Sequence, residues 1–191
     1  MLPDTISVMM LVVDEFERLD IPYFVSGSMA SALYGVARST MDADLVADLG
    51  QEKVGALVRA LSVDFYIDAE MIRDAIQHRS SFNIIHLNSM FKVDVFITHD
   101  RPFDRSQFQR RIQLLIKTDP EQRACIATAE DLILAKLEWY HLGGKVSDRQ
   151  WRDILGVLKV QSGQLDLDYL HRMAAELDVI TLLQKALKEA E

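Results

Sequence analysis

Cysteine is nearly absent from this chain: Cys125 is the only one in 191 residues. That excludes an intrachain disulfide framework and a cysteine-rich metal site. The five histidines, His78, His86, His99, His141 and His171, lack compact ligand spacing, so no zinc site is expected either. Excess positive charge is missing too. Asp and Glu number 29 against 21 Lys and Arg, a formal net charge of -8, which disfavours broad attachment to nucleic acid or to an anionic membrane but leaves room for a local basic pocket. Aromatic residues are 8% of the chain and form no ordered platform for stacking single-stranded nucleic acid. No apolar run is long enough to cross a bilayer. The stretch MLPDTISVMMLVVDEFERL carries Asp4 and Asp14 where a signal peptide would be basic. The expectation is a protein of the reducing cytosol with no membrane partner.

What is present is an ordinary globular composition, 49% hydrophobic and 26% charged, patterned in alternating elements. Val8, Leu11, Val12, Phe16 and Leu19 recur at helical spacing, predicting a helix over residues 5–19 with Asp4 or Thr5 as cap. Pro22 separates it from a short strand, Tyr23-Phe24-Val25. After Gly27-Ser28, Met29 to Leu33 predict a short helix that Gly35 ends. Asp42 to Ala47 reads as a strand, and 51–61 as a helix. FYIDAEMIRDAIQH reads as a short strand and then a helix. SFNIIHL (81–87) and FKVDVFI (91–97) read as an antiparallel strand pair around Asn88-Ser89. Residues 113–127 predict two β segments around Asp119-Pro120, followed by helices over 129–142, 148–160 and 167–189, the last broken near Asp178. A soft boundary is expected around residues 100–110.

The chemistry lies in the carboxylates. An extended Asp42 to Leu45 puts Asp42 and Asp44 on one face, with Ala43 and Leu45 on the other. Like charges at adjacent same-face positions repel, and a divalent cation relieves that; magnesium combines a few carboxylates with substrate phosphates. Asp94, inside the apolar FKVDVFI strand, is a third candidate, because a buried carboxylate without a partner is costly. On this reading Asp42 and Asp44 bridge metal and triphosphate, while Asp94 ligates a second metal and orients or deprotonates an acceptor hydroxyl. Gly27 permits close backbone approach, and Ser28 at a helix N-terminus aims its hydroxyl and neighbouring amides at phosphate. The competing reading is plainer: an Asp-x-Asp pair on a solvent-facing turn or edge, and Gly27-Ser28 as a turn with a cap.

The order GSMASALYG, RSTMDADL, FKVDVFI resembles the minimal nucleotidyltransferases of the DNA polymerase β-like superfamily, whose core carries a Gly-Ser turn, an Asp-x-Asp strand and a later carboxylate strand. The matching residues are Gly27-Ser28, Asp42 with Asp44, and Asp94. The resemblance spans roughly residues 5–100. It implies an α+β fold, a short mixed β-sheet flanked by helices, with a nucleotidyltransferase-like core over 1–105 and β segments plus a C-terminal helical region over 106–191. TAEDLILAKLEWYHLGGKVSDRQWRDILGVL is similar to the helical region of abortive-infection-type nucleotidyltransferase toxins. There a lysine and an Arg-x-x-x-Asp stretch lie near the cleft, which implies roles for Lys136, Arg149 and Asp153.

The nucleotide-binding set expected is thus Gly27, Ser28, Arg38, Lys92, Lys136 and Arg149. Each has a structural alternative: a solvent salt bridge for Arg38, an exposed strand lysine or a pair with Asp94 for Lys92, a snorkelling core-edge lysine for Lys136, and an i,i+4 helix pair for Arg149 with Asp153. Thr40 either orients the loop or caps its turn. The expected reaction is Mg2+-dependent transfer of a nucleoside monophosphate from an NTP to an RNA, protein or small-molecule acceptor, with pyrophosphate released, in a toxin with a separate antitoxin protein. The alternatives are an antibiotic nucleotidyltransferase and a noncatalytic nucleotide-sensing or protein-interaction module.

Overall fold

The computed structural model describes residues 4–35 and 42–190. They form a mixed α/β protein: a central sheet flanked by helices, followed by a C-terminal helical region. Two compact units are distinguished. The first takes the described residues of Met1–Ser26 and Thr40–Ile126, the second those of Gly27–Ser39 and Ala127–Glu191. These units do not follow a cut at residues 105/106. The β segments after residue 110 join the sheet of the first unit, while the short helix after Ser26 goes with the C-terminal helices.

In the first unit, α1 (Thr5–Arg18) starts at Asp4, whose side chain accepts from Ser7 N–H. It buries Val8, Met9, Val12, Val13 and Phe16 on one stripe and packs against β2 (Asp42–Ala47) and β7 (Glu121–Ile126). The remaining strands are β1 (Tyr23–Ser26), β3 (Phe65–Tyr66), β4 (Ser81–His86), β5 (Lys92–Ile97) and β6 (Ile112–Thr118). The sheet order is β3-β4-β5-β2-β1-β7-β6. β4 and β5 are antiparallel, as the Asn88-Ser89 turn predicts, whereas β2 and β5 run parallel. Helices α3 (Val54–Leu61) and α4 (Ala69–His78) fill the crossover between β2 and β4. Asp68 caps α4 by accepting from the Glu70 and Met71 amides.

The register of β2 against β5 is fixed by burial. Ala43, Leu45, Ala47, Val93, Val95 and Ile97 are at most 2% exposed and occupy one face. A slip of one residue would turn this apolar set outward and drive Asp44 and Asp94 into the core, at a cost of several kcal/mol. The core therefore places the carboxylates.

One helix was not expected. Residues 102–110 form α5 (Pro102–Arg110), in the stretch read only as a boundary. Its sequence, PFDRSQFQR, has no apolar stripe, and local polar bonding with a few buried residues stands in for one. Pro102 opens it, Arg101 N–H and guanidinium both donate to Asp104, and Phe108 meets Phe24 edge-on at 5.0 Å between ring centroids.

The second unit contains α2 (Gly27–Tyr34), α6 (Ala129–Leu142), α7 (Asp148–Val160), α8 (Leu167–Glu176) and α9 (Ile180–Ala190). Thr128, Ser147 and Asp166 cap α6, α7 and α8 by accepting N3 amides. α2 is short and rich in small residues because it lies close to α7: a Cβ on Gly35 would come within 3.1 Å of the Val157 nitrogen and 3.2 Å of the Gly156 carbonyl carbon. Among the described residues no helix is long and apolar enough to cross a membrane.

Candidate active site

Parallel pairing sets Asp44 opposite Asp94 and Asp42 opposite Lys92. Partners in register point to the same side of a sheet, so all four side chains lie on the face opposite the apolar set. The three carboxylates singled out in the sequence are thus neighbours on one surface of the first unit. Lys92 Nζ lies 2.7 Å from Asp94 Oδ2, with the two side chains 42% and 20% exposed. The hydrogen bond to Asp94 is the main reason the Lys92 ammonium is held above its ordinary pKa; burial opposes this, and the charges of Asp94, Asp42 and Asp44 add to it. Of the two structural readings of Lys92, pairing with Asp94 is the one observed.

The same row continues beyond the carboxylates. Asn83 on β4 is the register partner of Asp94, and Ser26 on β1 is that of Asp44. The sequence reading passed over both. Asn83 did carry a signal, as a polar residue between buried Phe82 and Ile84, but its position beside Asp94 follows only from the pairing of β4 with β5.

In the second unit, Gly27 adopts φ +60°, a left-handed conformation that suits glycine, at the entry to α2. The helix begins at Gly27 itself. Ser28 is 8% exposed, and an Arg149 Nη lies 3.5 Å from its Oγ, the outer limit of a hydrogen bond. Lys136 is committed locally: its Nζ donates to Asp153 Oδ2 at 3.1 Å, and the side chains are only 11% and 13% exposed. Arg149 and Asp153, read as an i,i+4 pair, engage residues on other helices, Ser28 and Lys136. Arg38 and Thr40 lie outside the described residues.

Hard carboxylate oxygens on adjacent strands suit a divalent ion held by one or two carboxylates together with substrate phosphates. They do not form an all-protein cage. Among the described residues no group of three His, Cys, Asp or Glu stands close enough to hold an ion.

The fold is similar to that of solved structures described as nucleotidyltransferases. A nucleotidyltransferase-like antigenic protein from Paracoccidioides brasiliensis superposes with a TM-score of 0.54 at 17% identity, over 96% of this chain and 92% of that one. The antibiotic-resistance factor ANT(2'')-Ia gives 0.58 at 10% identity, over 97% of each chain. The lincosamide antibiotic adenylyltransferase LnuA, bound to lincomycin, gives 0.50 at 12% identity, over 81% of this chain and 96% of that one. At these identities the likeness is one of fold. No protein-family model and no curated protein matches the chain.

Proposed function

We propose that the protein transfers a nucleoside monophosphate from an NTP to a hydroxyl of a small-molecule acceptor, releasing pyrophosphate. The observation that carries this reading is the register that sets Asp44 beside Asp94 on the face bearing Asp42. Two fold neighbours, LnuA and ANT(2'')-Ia, are described as acting on or conferring resistance to antibiotics, which favours a small-molecule acceptor over the RNA or protein acceptor of a toxin. Nothing comparable supports an antitoxin partner.

In this scheme Asp42 and Asp44 would hold a Mg2+ ion together with the triphosphate, and the ion would supply charge neutralisation for the transferred phosphoryl group. The acceptor oxygen forms a bond to the α-phosphorus as the bond to the pyrophosphate oxygen breaks. The hydroxyl proton passes to Asp94 Oδ1, the oxygen opposite the one bound by Lys92. Gly27, Ser28, Arg38 and Arg149 are assigned to phosphate binding, Ser28 and Arg149 being within reach of one another. Lys136, paired with Asp153, is assigned to the same set on the resemblance of its helix.

The test is product formation. Purified protein with labelled NTP, Mg2+ and separate panels of small hydroxylated amines, RNA and protein should transfer label to the first panel. Transfer to RNA or protein alone would restore the toxin reading, and binding of NTP without transfer to any panel would favour the noncatalytic module.

A further inference from the structure

We propose that the acceptor lies on the β4 and β3 side of Asp94, held by the Asn83 amide and resting on Ile85 and Tyr66, and that it is an apolar ring or chain whose reacting hydroxyl has a second polar group on the neighbouring carbon. The inference rests on the transfer reading above and names the acceptor class for it. Pairing across four strands orders one row of side chains on this face: Ser26 on β1, Asp44 on β2, Asp94 on β5 and Asn83 on β4. Asp94 thus has Asp44 on one flank and Asn83 on the other. Directly opposed residues of an antiparallel pair stand about 4.5–5.5 Å apart at Cβ. A hydroxyl at Asp94 Oδ1 therefore brings a substituent on its neighbouring carbon within reach of the Asn83 amide, which both donates and accepts.

Asn83 needs a reason to occupy this position. Asparagine is disfavoured in strands, and this one stands between Phe82 and Ile84, which are buried on the opposite face. It is half-buried, and among the described residues its amide makes no hydrogen bond to the chain, so its donors and acceptor are open to a ligand. The adjacent row continues the surface in apolar form: Ile85 is the register partner of Lys92, and Tyr66 on the edge strand β3 is that of Ile85. Tyr66 is 53% exposed, although its strand neighbour Phe65 is buried on the other face. An aromatic ring beside a branched aliphatic chain gives a carbon skeleton an apolar surface to rest on. Asn83, Ile85 and Tyr66 carry no charge, so this flank suits an acceptor skeleton better than a triphosphate, whose oxygens call for cations.

The test uses the full chain, Asn83→Ala and Tyr66→Ala, with circular dichroism to establish that each is folded. The probes are the small molecule that takes label from NTP and its analogue lacking the polar group beside the labelled hydroxyl. The native chain should prefer the complete molecule by about ten-fold in kcat/KM, and Asn83→Ala should lose that preference. Tyr66→Ala should raise the acceptor KM about ten-fold for both probes, with the preference kept. NTP affinity, measured without acceptor, separates the two flanks: a parallel fall in either variant would overturn the placement. A preference that Asn83→Ala retains, a native chain indifferent to the neighbouring group, or transfer confined to RNA or protein would overturn the inference while leaving nucleotidyl transfer intact. Absence of transfer by the native chain to any acceptor would overturn both.

Discussion

Asp44 and Asp94 are direct register partners on the parallel strands β2 and β5, although fifty positions separate them in the sequence. Like charges directly opposite each other weaken a sheet by about 0.2–1 kcal/mol. The fold accepts the pairing because the alternate positions bury Leu45, Val93 and Val95, and a fully buried side chain of that size contributes about 1.5–3 kcal/mol. Core packing outweighs the repulsion.

Replacing Asp44 or Asp42 by Asn should therefore change stability by no more than about 1 kcal/mol while lowering metal-dependent transfer by about a hundred-fold or more. Asp94→Asn should spare part of NTP binding and lose turnover. Thermal melts, NTP titration and product formation measured on the same preparations separate these effects; full turnover by Asp94→Asn would remove its assigned role.

Lys136 and Asp153 make the opposite case. Their pair is nearly buried, so Lys136→Met or Asp153→Leu alone should cost about 3–5 kcal/mol by removing one partner of the ion pair. The double variant Lys136→Met/Asp153→Leu should recover much of that loss. Denaturant unfolding of the four proteins closes the cycle, and additive losses would mean that the pair is not coupled. Arg149→Ala, by contrast, removes an exposed side chain. It should weaken NTP binding by about ten-fold with little change in melting temperature.

Much of the fold was legible because its elements carry strong local signals. The 3.6-residue stripe of α1, the alternation of β4 and β5, and the caps Thr128 and Ser147 all lie in single windows of sequence. α5 was not legible, since its Asp104 and Gln107 are buried polar residues, Asp104 held by Arg101, and no apolar period marks it. Asp42 and Asp44 on one face followed from strand periodicity alone. That Asp94 stands beside them, and that Asn83 and Ser26 extend the row, depends on which strands pair, and local pattern does not encode that.

Tyr34 gives a prediction in pH. Its hydroxyl donates to the Ala127 carbonyl at 2.9 Å, and burial, followed by the charges of Glu130 and Asp131, pushes the phenol up to about 12. A raised phenol pKa means that folding favours the protonated form. The stability it brings is complete below the ordinary value of 10.0 and is lost as pH rises through about 12. An ultraviolet titration should show a late ionising step that Tyr34→Phe removes, with a loss of about 1 kcal/mol at neutral pH. Ionisation of Tyr34 near the ordinary value of 10.0 would contradict this.

The central claim is that the carboxylate face performs nucleotidyl transfer, and the most direct test follows label from the α-phosphate of an NTP. Native protein and Asp44→Asn are incubated side by side with Mg2+ and the small-molecule panel, and products are identified by mass. The account predicts an acceptor heavier by one nucleoside monophosphate, together with stoichiometric pyrophosphate, from the native protein and not from the variant. Equal labelling by both proteins, or pyrophosphate release that Asp44→Asn leaves undiminished, would contradict it.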